Sequence, residues 1–295
     1  MSQFNFDIMD AAGYGYYRVW KERTYLLKLI AIPILIKFAS MVALAVMSED
    51  SSLLRQGLVL LPSDFAKGWV VAQFLRTLLL NERWPTILNE MPDNAALARL
   101  LLRARGIIAA TLTFVLISMA GNLMIYFLLG SLPAETLHQM KQGTVQDLAT
   151  LDQQTAGQDV SLNPLVYIPS VLGLLASLWL FRLLWLYIPF SVLMPFKDYL
   201  SAVKGFMSSL RMLVLYFSCM APAMLVAIVL SRGVHVFFAA LLGDDNMLAQ
   251  FFTILISVGV DFLVTLVTVT AMAWAMRDFL PKAATAFEDF PGKEH

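Results

Sequence analysis

Apolar residues in this chain fall into long blocks separated by short polar gaps. Blocks of about 20 residues match helices that cross a bilayer. The pattern predicts an all-α, polytopic transmembrane helix bundle of about six spans, at 29–47, 65–81, 106–130, 165–189, 212–231 and 251–276. The second is the weakest, being short and carrying Lys67, Gln73 and Arg76. Ser63 or Asp64 is placed to cap its start after Pro62. Ahead of the first span, Ile8, Ala12, Gly15, Val19 and Trp20 recur at helical spacing. Residues 1–28 therefore read as a cytoplasmic amphipathic helix lying on the membrane surface. Tyr14, Tyr16, Tyr17, Trp20 and Tyr25 suit its headgroup layer. Gly13 and Gly15 oppose a helix there. The stretch is not expected to be a cleaved signal peptide, because acidic and aromatic residues dominate it and no small-residue cleavage site follows the first apolar run.

The gaps differ in character. Residues 131–163 are rich in Gln, Thr and Asp and form the largest outer loop, too poor in apolar residues to fold as a domain. Two short apolar stretches, 53–61 and 234–242, end near Asp64 and near Asp244 and Asp245. They read as interfacial or re-entrant segments. Residues 277–295 form a cytoplasmic tail.

Composition and charge sharpen this picture. Hydrophobic residues make up 59% of the chain and charged residues only 14%, with a mean hydropathy of +0.71. A soluble domain needs far more surface charge. The formal net charge is zero, so no electrostatic argument favours nucleic acid. Cys219 is the single cysteine and His138, His235 and His295 are scattered, which excludes a disulfide framework and argues against a zinc or haem centre. No cofactor is expected. Basic residues gather in every second gap. Arg18, Lys21, Arg23, Lys28, Arg76, Arg83, Arg99, Arg103, Arg105, Lys197, Lys204, Arg211, Arg277, Lys282 and Lys293 fall on one side, and only Arg55, Lys67, Lys141 and Arg232 on the other. This bias places both termini in the cytoplasm.

One polar level stands out within the apolar blocks. Asp261 lies near the middle of the last span, and a carboxylate there costs about 2.5–3.5 kcal/mol on insertion scales, so it should face protein or water. Ser257, Asp261, Thr265 and Thr268 share one helix face. At about 1.5 Å rise per residue, Asp261 sits roughly 24 Å from Arg277, Arg182 roughly 22 Å from Lys197, and Asn122 roughly 25 Å from Arg105. These depths bring Asp261, Arg182 and Asn122 to one level. The cluster reads either as an Arg182–Asp261 pair that locks helices together or as a proton, ion or substrate site. Lys37 and Gln73 form a secondary polar pair at another depth, where Lys37 either snorkels or lines a vestibule.

Ala223, Ala227 and Ser231 form a small-residue ladder suited to close helix packing, within the chain or between copies. Arg18, Lys21, Arg23, Arg99, Arg103 and Arg105 are placed either to set topology or to bind anionic lipid headgroups, each worth about 1 kcal/mol at the surface. Enzyme signatures are weak. Ser201 and Lys204 make an isolated S-x-x-K match without its companion motifs, and Gly13-x-Gly15 lacks the strand and third glycine of a phosphate loop. No catalytic residue is assigned.

Asp7-Ile8-Met9-Asp10, Trp20-Lys21-Glu22-Arg23 and the run from Leu29 to Pro33 resemble the start of a group of six-span bacterial membrane proteins. The group includes the YciC-like proteins and the membrane domain associated with glycerophosphodiester phosphodiesterases. The hairpin around Leu61-Pro62 is similar too, so the resemblance covers about the first 130 residues. It implies a six-span membrane bundle, in a group whose members generally lack a well-defined biochemical role. The phosphodiesterase catalytic domain is absent from these residues, so its activity is not implied. The expected role is an envelope or lipid-homeostasis component or a scaffold of a membrane complex. The alternative is a small secondary transporter or channel built on Asp261, Arg182 and Asn122.

Overall fold

The computed structural model describes residues 6–47, 53–84, 94–130, 179–242 and 247–280. Every regular element among them is helical. Helix α1 spans Ile8–Lys21, α2 Arg23–Val46, α3 Leu53–Leu80 and α4 Asn94–Gly130. A 3-10 helix, Phe181–Trp185, is followed by α5 (Tyr187–Ser191), α6 (Phe196–Ala202), α7 (Phe206–Leu242) and α8 (Met247–Ala275). Five of these are long and apolar enough to cross a membrane, with qualifying windows at Arg23–Leu44, Arg55–Leu80, Leu97–Gly121, Phe206–Phe238 and Phe251–Ala275. The chain is a multi-pass membrane protein, helical throughout the regular elements of its described residues.

Local chemistry accounts for several boundaries. The Asp7 carboxylate caps α1, accepting from the Met9 and Asp10 amides at 2.8 and 3.1 Å. Asp10 in the first turn and Arg18 and Lys21 in the last complement the helix dipole. Helix α3 ends at Asn81, whose φ of 53° is the left-handed conformation that asparagine tolerates.

The helices are longer than hydropathy alone predicts. The stretches 53–61 and 234–242 are not separate re-entrant segments but parts of α3 and α7. Pro62, Ser63, Asp64 and Arg232 interrupt the apolar pattern without ending the helices. The expected span at 165–189 fares differently. Residues 165–178 lie outside the described residues. The rest is broken into the 3-10 helix and α5, and then turns at Leu193, whose φ is 58°. The outer loop 131–163 and residues 281–295 of the tail also lie outside the described residues.

The chain divides into two compact units, residues 1–116 with 178–295, and residues 117–177. Of the second, 117–130 are described, as the closing turns of α4. In the first unit, α8 is the hub and packs against α1, α2, α3 and α7. Helix α2 also lies along α3. Phe74, Leu75, Leu78, Leu79, Met212, Leu215, Met272 and Met276 are fully buried.

Helix α1 uses its small-residue face to dock on protein. Ala11, Ala12, Gly15 and Val19 are buried. A Cβ on Gly15 would stand 2.7 Å from the Val267 carbonyl oxygen and 3.1 Å from Ala271 Cβ. Tyr14 stacks on Trp274, and the Tyr16 hydroxyl donates to the Cys219 carbonyl at 2.5 Å. The apolar spacing read as a lipid-facing stripe is therefore largely a docking surface on α8 and α7. Met9 and Trp20, at 76% and 70% exposure, point away from it.

Candidate functional site

Asp261 lies on α8, 14 residues from Met247 and 14 from Ala275, so a straight helix carries it to mid-length. A carboxylate at that level requires cationic or polar partners. Two other helices supply them. Lys37 of α2 forms an ion pair and hydrogen bond with Oδ2 of Asp261. Lys67 of α3 donates to Oδ1 at 2.9 Å and lies 2.8 Å from Oδ2. The two lysine side chains are 15% and 13% exposed, whereas that of Asp261 is 38% exposed. Phe262 and Phe114 each place a ring 5.9 Å from one lysine ammonium, adding a favourable cation–π environment. The triad Lys37–Asp261–Lys67 thus joins α2, α3 and α8 through one carboxylate.

This arrangement corrects the expected Arg182–Asp261 partnership. Arg182 donates to the Val203 carbonyl at 2.9 Å and its guanidinium lies 4.0 Å over the Trp179 ring. The Tyr199 hydroxyl in turn donates to the Arg182 carbonyl at 2.6 Å. A constant rise per residue from Lys197 back to Arg182 requires one straight helix. The break through Pro189, Leu193 and Pro195 folds Arg182 against the segment that follows it instead. The Asn122 side chain lies outside the described residues. Of the other stripe residues, Thr265 and Thr268 donate back to the carbonyls of Asp261 and Val264 at 2.7 and 2.6 Å, and Ser257 is exposed. Lys37 and Gln73 do not form a pair of their own. Gln73 accepts from Arg103 at 3.4 Å, and Lys37 belongs to Asp261. Lys67, counted by charge rhythm as an outer-flank cation, is the residue that sequence reasoning missed. Its signal was a single basic residue at the centre of a long helix.

A second charged network closes the end of α3. Glu22, between α1 and α2, pairs with Arg18 at 3.3 Å and with Arg83 at 3.1 Å. Glu82 pairs with Arg76 at 2.8 Å and lies 3.8 Å from Arg103. Arg76 also donates to the Ser191 carbonyl on α5 at 2.7 Å, and Arg103 to the Arg83 carbonyl at 2.9 Å. Gly106 makes room for this crossing, since a Cβ there would stand 2.7 Å from the Ser191 carbonyl oxygen. The Tyr25 hydroxyl meets Thr77 at 3.2 Å and accepts from the Trp84 amide at 3.2 Å.

This network divides the basic residues read as headgroup ligands. Arg18 and Arg103 are buried and paired within the protein, so they are structural here. Lys21, Arg23, Arg99 and Arg105 are exposed. The small-residue ladder is divided too. Ala223 is buried, while Ala227 and Ser231 are half-buried. Among the described residues no group of His, Cys, Asp and Glu is placed to hold a metal ion. The chain matches no family model, no curated protein and no solved structure.

Proposed function

We propose that this chain is a non-enzymatic component of the bacterial inner membrane, acting in envelope or lipid homeostasis or as a scaffold within a membrane complex. The observation that carries this reading is the use made of the charges at mid-helix. Lys37, Lys67 and Asp261 are spent on one another and tie three helices together. A fixed bundle of that kind suits presentation of its outer faces to lipid or to other proteins. Those faces are broad, for only 17% of the apolar window of α7 is buried within the chain. Six spans are proposed, with both termini cytoplasmic, following the bias of basic residues. Lys21, Arg23, Arg99 and Arg105 are then at the cytoplasmic face, available to anionic headgroups. Ala227 and Ser231 are the part of the ladder open to a second copy or another membrane protein. The resemblance of the opening residues to the YciC-like group points the same way.

The test is co-purification in mild detergent, with bound proteins and lipids identified by mass spectrometry. A reproducible, stoichiometric membrane-protein or lipid companion is the expected result. Its absence, together with flux in proteoliposomes, would favour the second reading. That reading is a small secondary transporter or channel. It rests on the 38% exposure of the Asp261 side chain and on two lysines facing one carboxylate. A transporter loses flux yet keeps its fold when Asp261 becomes Asn.

A further inference from the structure

The 3-10 helix Phe181–Trp185 carries two buried donors, Arg182 Nε and Trp185 Nε1, that have no hydrogen-bond partner among the described residues, although the two residues are only 7% and 5% exposed. A 3-10 helix has three residues per turn, so side chains three apart leave from the same face. Arg182 is also a buried cation that no carboxylate among the described residues neutralises. Its guanidinium donates to the Val203 carbonyl, a neutral group. An unpaired buried donor and an uncompensated buried charge both destabilise the protein. One ligand removes both penalties, namely an oxyanion that accepts from the guanidinium and from the indole N–H.

The surroundings say where such a ligand comes from. Trp179 and Leu180, which lead into the 3-10 helix, and Phe196 and Met207, which follow it in the chain, are exposed apolar side chains, and Lys197, Asp198 and Lys204 are exposed in the same stretch of sequence. Apolar and aromatic side chains mixed with lysines are characteristic of the headgroup layer of a membrane. The 3-10 helix is also held in place from both sides, by the Tyr199 hydroxyl on the Arg182 carbonyl and by Trp185 against Tyr187 and Tyr216. The donors are thus fixed before a ligand arrives.

We propose that Arg182 and Trp185 form a binding site for a phosphate-ester oxyanion. A phospholipid headgroup and free phosphate share that chemistry. The site stands whether the bundle is a scaffold or a transporter, because it lies apart from the Lys37–Asp261–Lys67 triad.

The experiment titrates the purified full chain in detergent with dioctanoyl phosphatidylglycerol, inorganic phosphate and dioctanoylglycerol, which lacks the phosphate. Native mass spectrometry and the ligand-dependent rise in unfolding temperature are the readouts. Saturable binding of phosphatidylglycerol and none of dioctanoylglycerol is expected. Displacement by inorganic phosphate shows that the free anion suffices, and its failure to displace assigns the site to the headgroup; either supports the proposal. Trp185→Phe keeps a ring and deletes only the N–H, and weakens binding about tenfold. Arg182→Gln abolishes it. Should Arg182→Gln fail to fold, Trp185→Phe carries the test alone. Unchanged binding in Trp185→Phe, or equal binding of dioctanoylglycerol, overturns the proposal.

Discussion

Lys67 of α3 reaches Asp261 of α8 with both carboxylate oxygens in range, 2.9 Å to Oδ1 and 2.8 Å to Oδ2. The two residues are 194 positions apart in the chain. With Lys37 as its second cationic partner, Asp261 makes a three-helix joint at mid-length of α8.

A joint of this kind is more sensitive to losing one member than to losing all three. Asp261→Asn leaves two lysines facing each other without a counter-charge. It is expected to destabilise by about 3 kcal/mol, at the lower end of the range for a broken buried pair because the carboxylate is partly exposed. The combination Lys37→Met, Lys67→Met, Asp261→Leu removes the charges together and is expected to recover most of that loss. Unfolding in a graded detergent mixture measures both.

The network at the end of α3 separates buried from exposed pairs. Glu82→Gln removes the counter-charge of Arg76, which is 4% exposed, and is expected to cost about 2–4 kcal/mol. Arg83→Gln breaks a pair whose arginine side chain is 59% exposed and is expected to cost at most about 1 kcal/mol. The comparison is made by unfolding temperature in one detergent. Equal losses would contradict the assignment.

Gly15 sets how closely α1 approaches α8. Gly15→Val forces a side chain into the Val267 carbonyl and Ala271. The expected penalty is about 1–3 kcal/mol, concentrated on the docking of α1. Hydrogen exchange should rise in α1 while the protected core of α8 holds. Loss of protection throughout would show that α1 is not a separately docked element.

Burial raises the Tyr199 phenol well above its ordinary value, so it remains a donor to the Arg182 carbonyl at alkaline pH. The unfolded chain releases the same proton near pH 10. Stability carried by this group is complete below pH 10 and falls as pH rises above it, because the folded state then binds more protons than the unfolded one. Tyr199→Phe is expected to cost about 1 kcal/mol at neutral pH and to flatten the alkaline fall. Denaturant titrations at several pH values check both.

Much of the architecture was legible in the sequence, and the exceptions have physical causes. Hydropathy marked the apolar blocks because lipid admits little else at that depth. It cut α3 and α7 short near Pro62 and Arg232, since Ser63, Asp64 and Arg232 lower a local hydropathy average without ending a helix, and the one backbone hydrogen bond that Pro62 removes does not end α3 either. Asp261 was visible as the costliest residue in its span. Its partners were not, because depth along a chain says nothing about which helices are neighbours. Arg182 shows the other failure, where the 3-10 turn and two prolines invalidate a constant rise per residue. Gly15 looked like a helix weakener on propensity grounds. Its use is tertiary, as the point of nearest approach to α8.

Exchanging charges across the joint probes it most directly. Lys67→Asp and Asp261→Lys are made singly and together in the full chain, and the fraction of monodisperse folded protein and its unfolding temperature are measured in detergent. Each single variant should fold poorly, and the pair should regain much of the unfolding temperature of the parent. Singles that match the parent, or a pair no better than the worse single, would contradict an ion joint between α3 and α8.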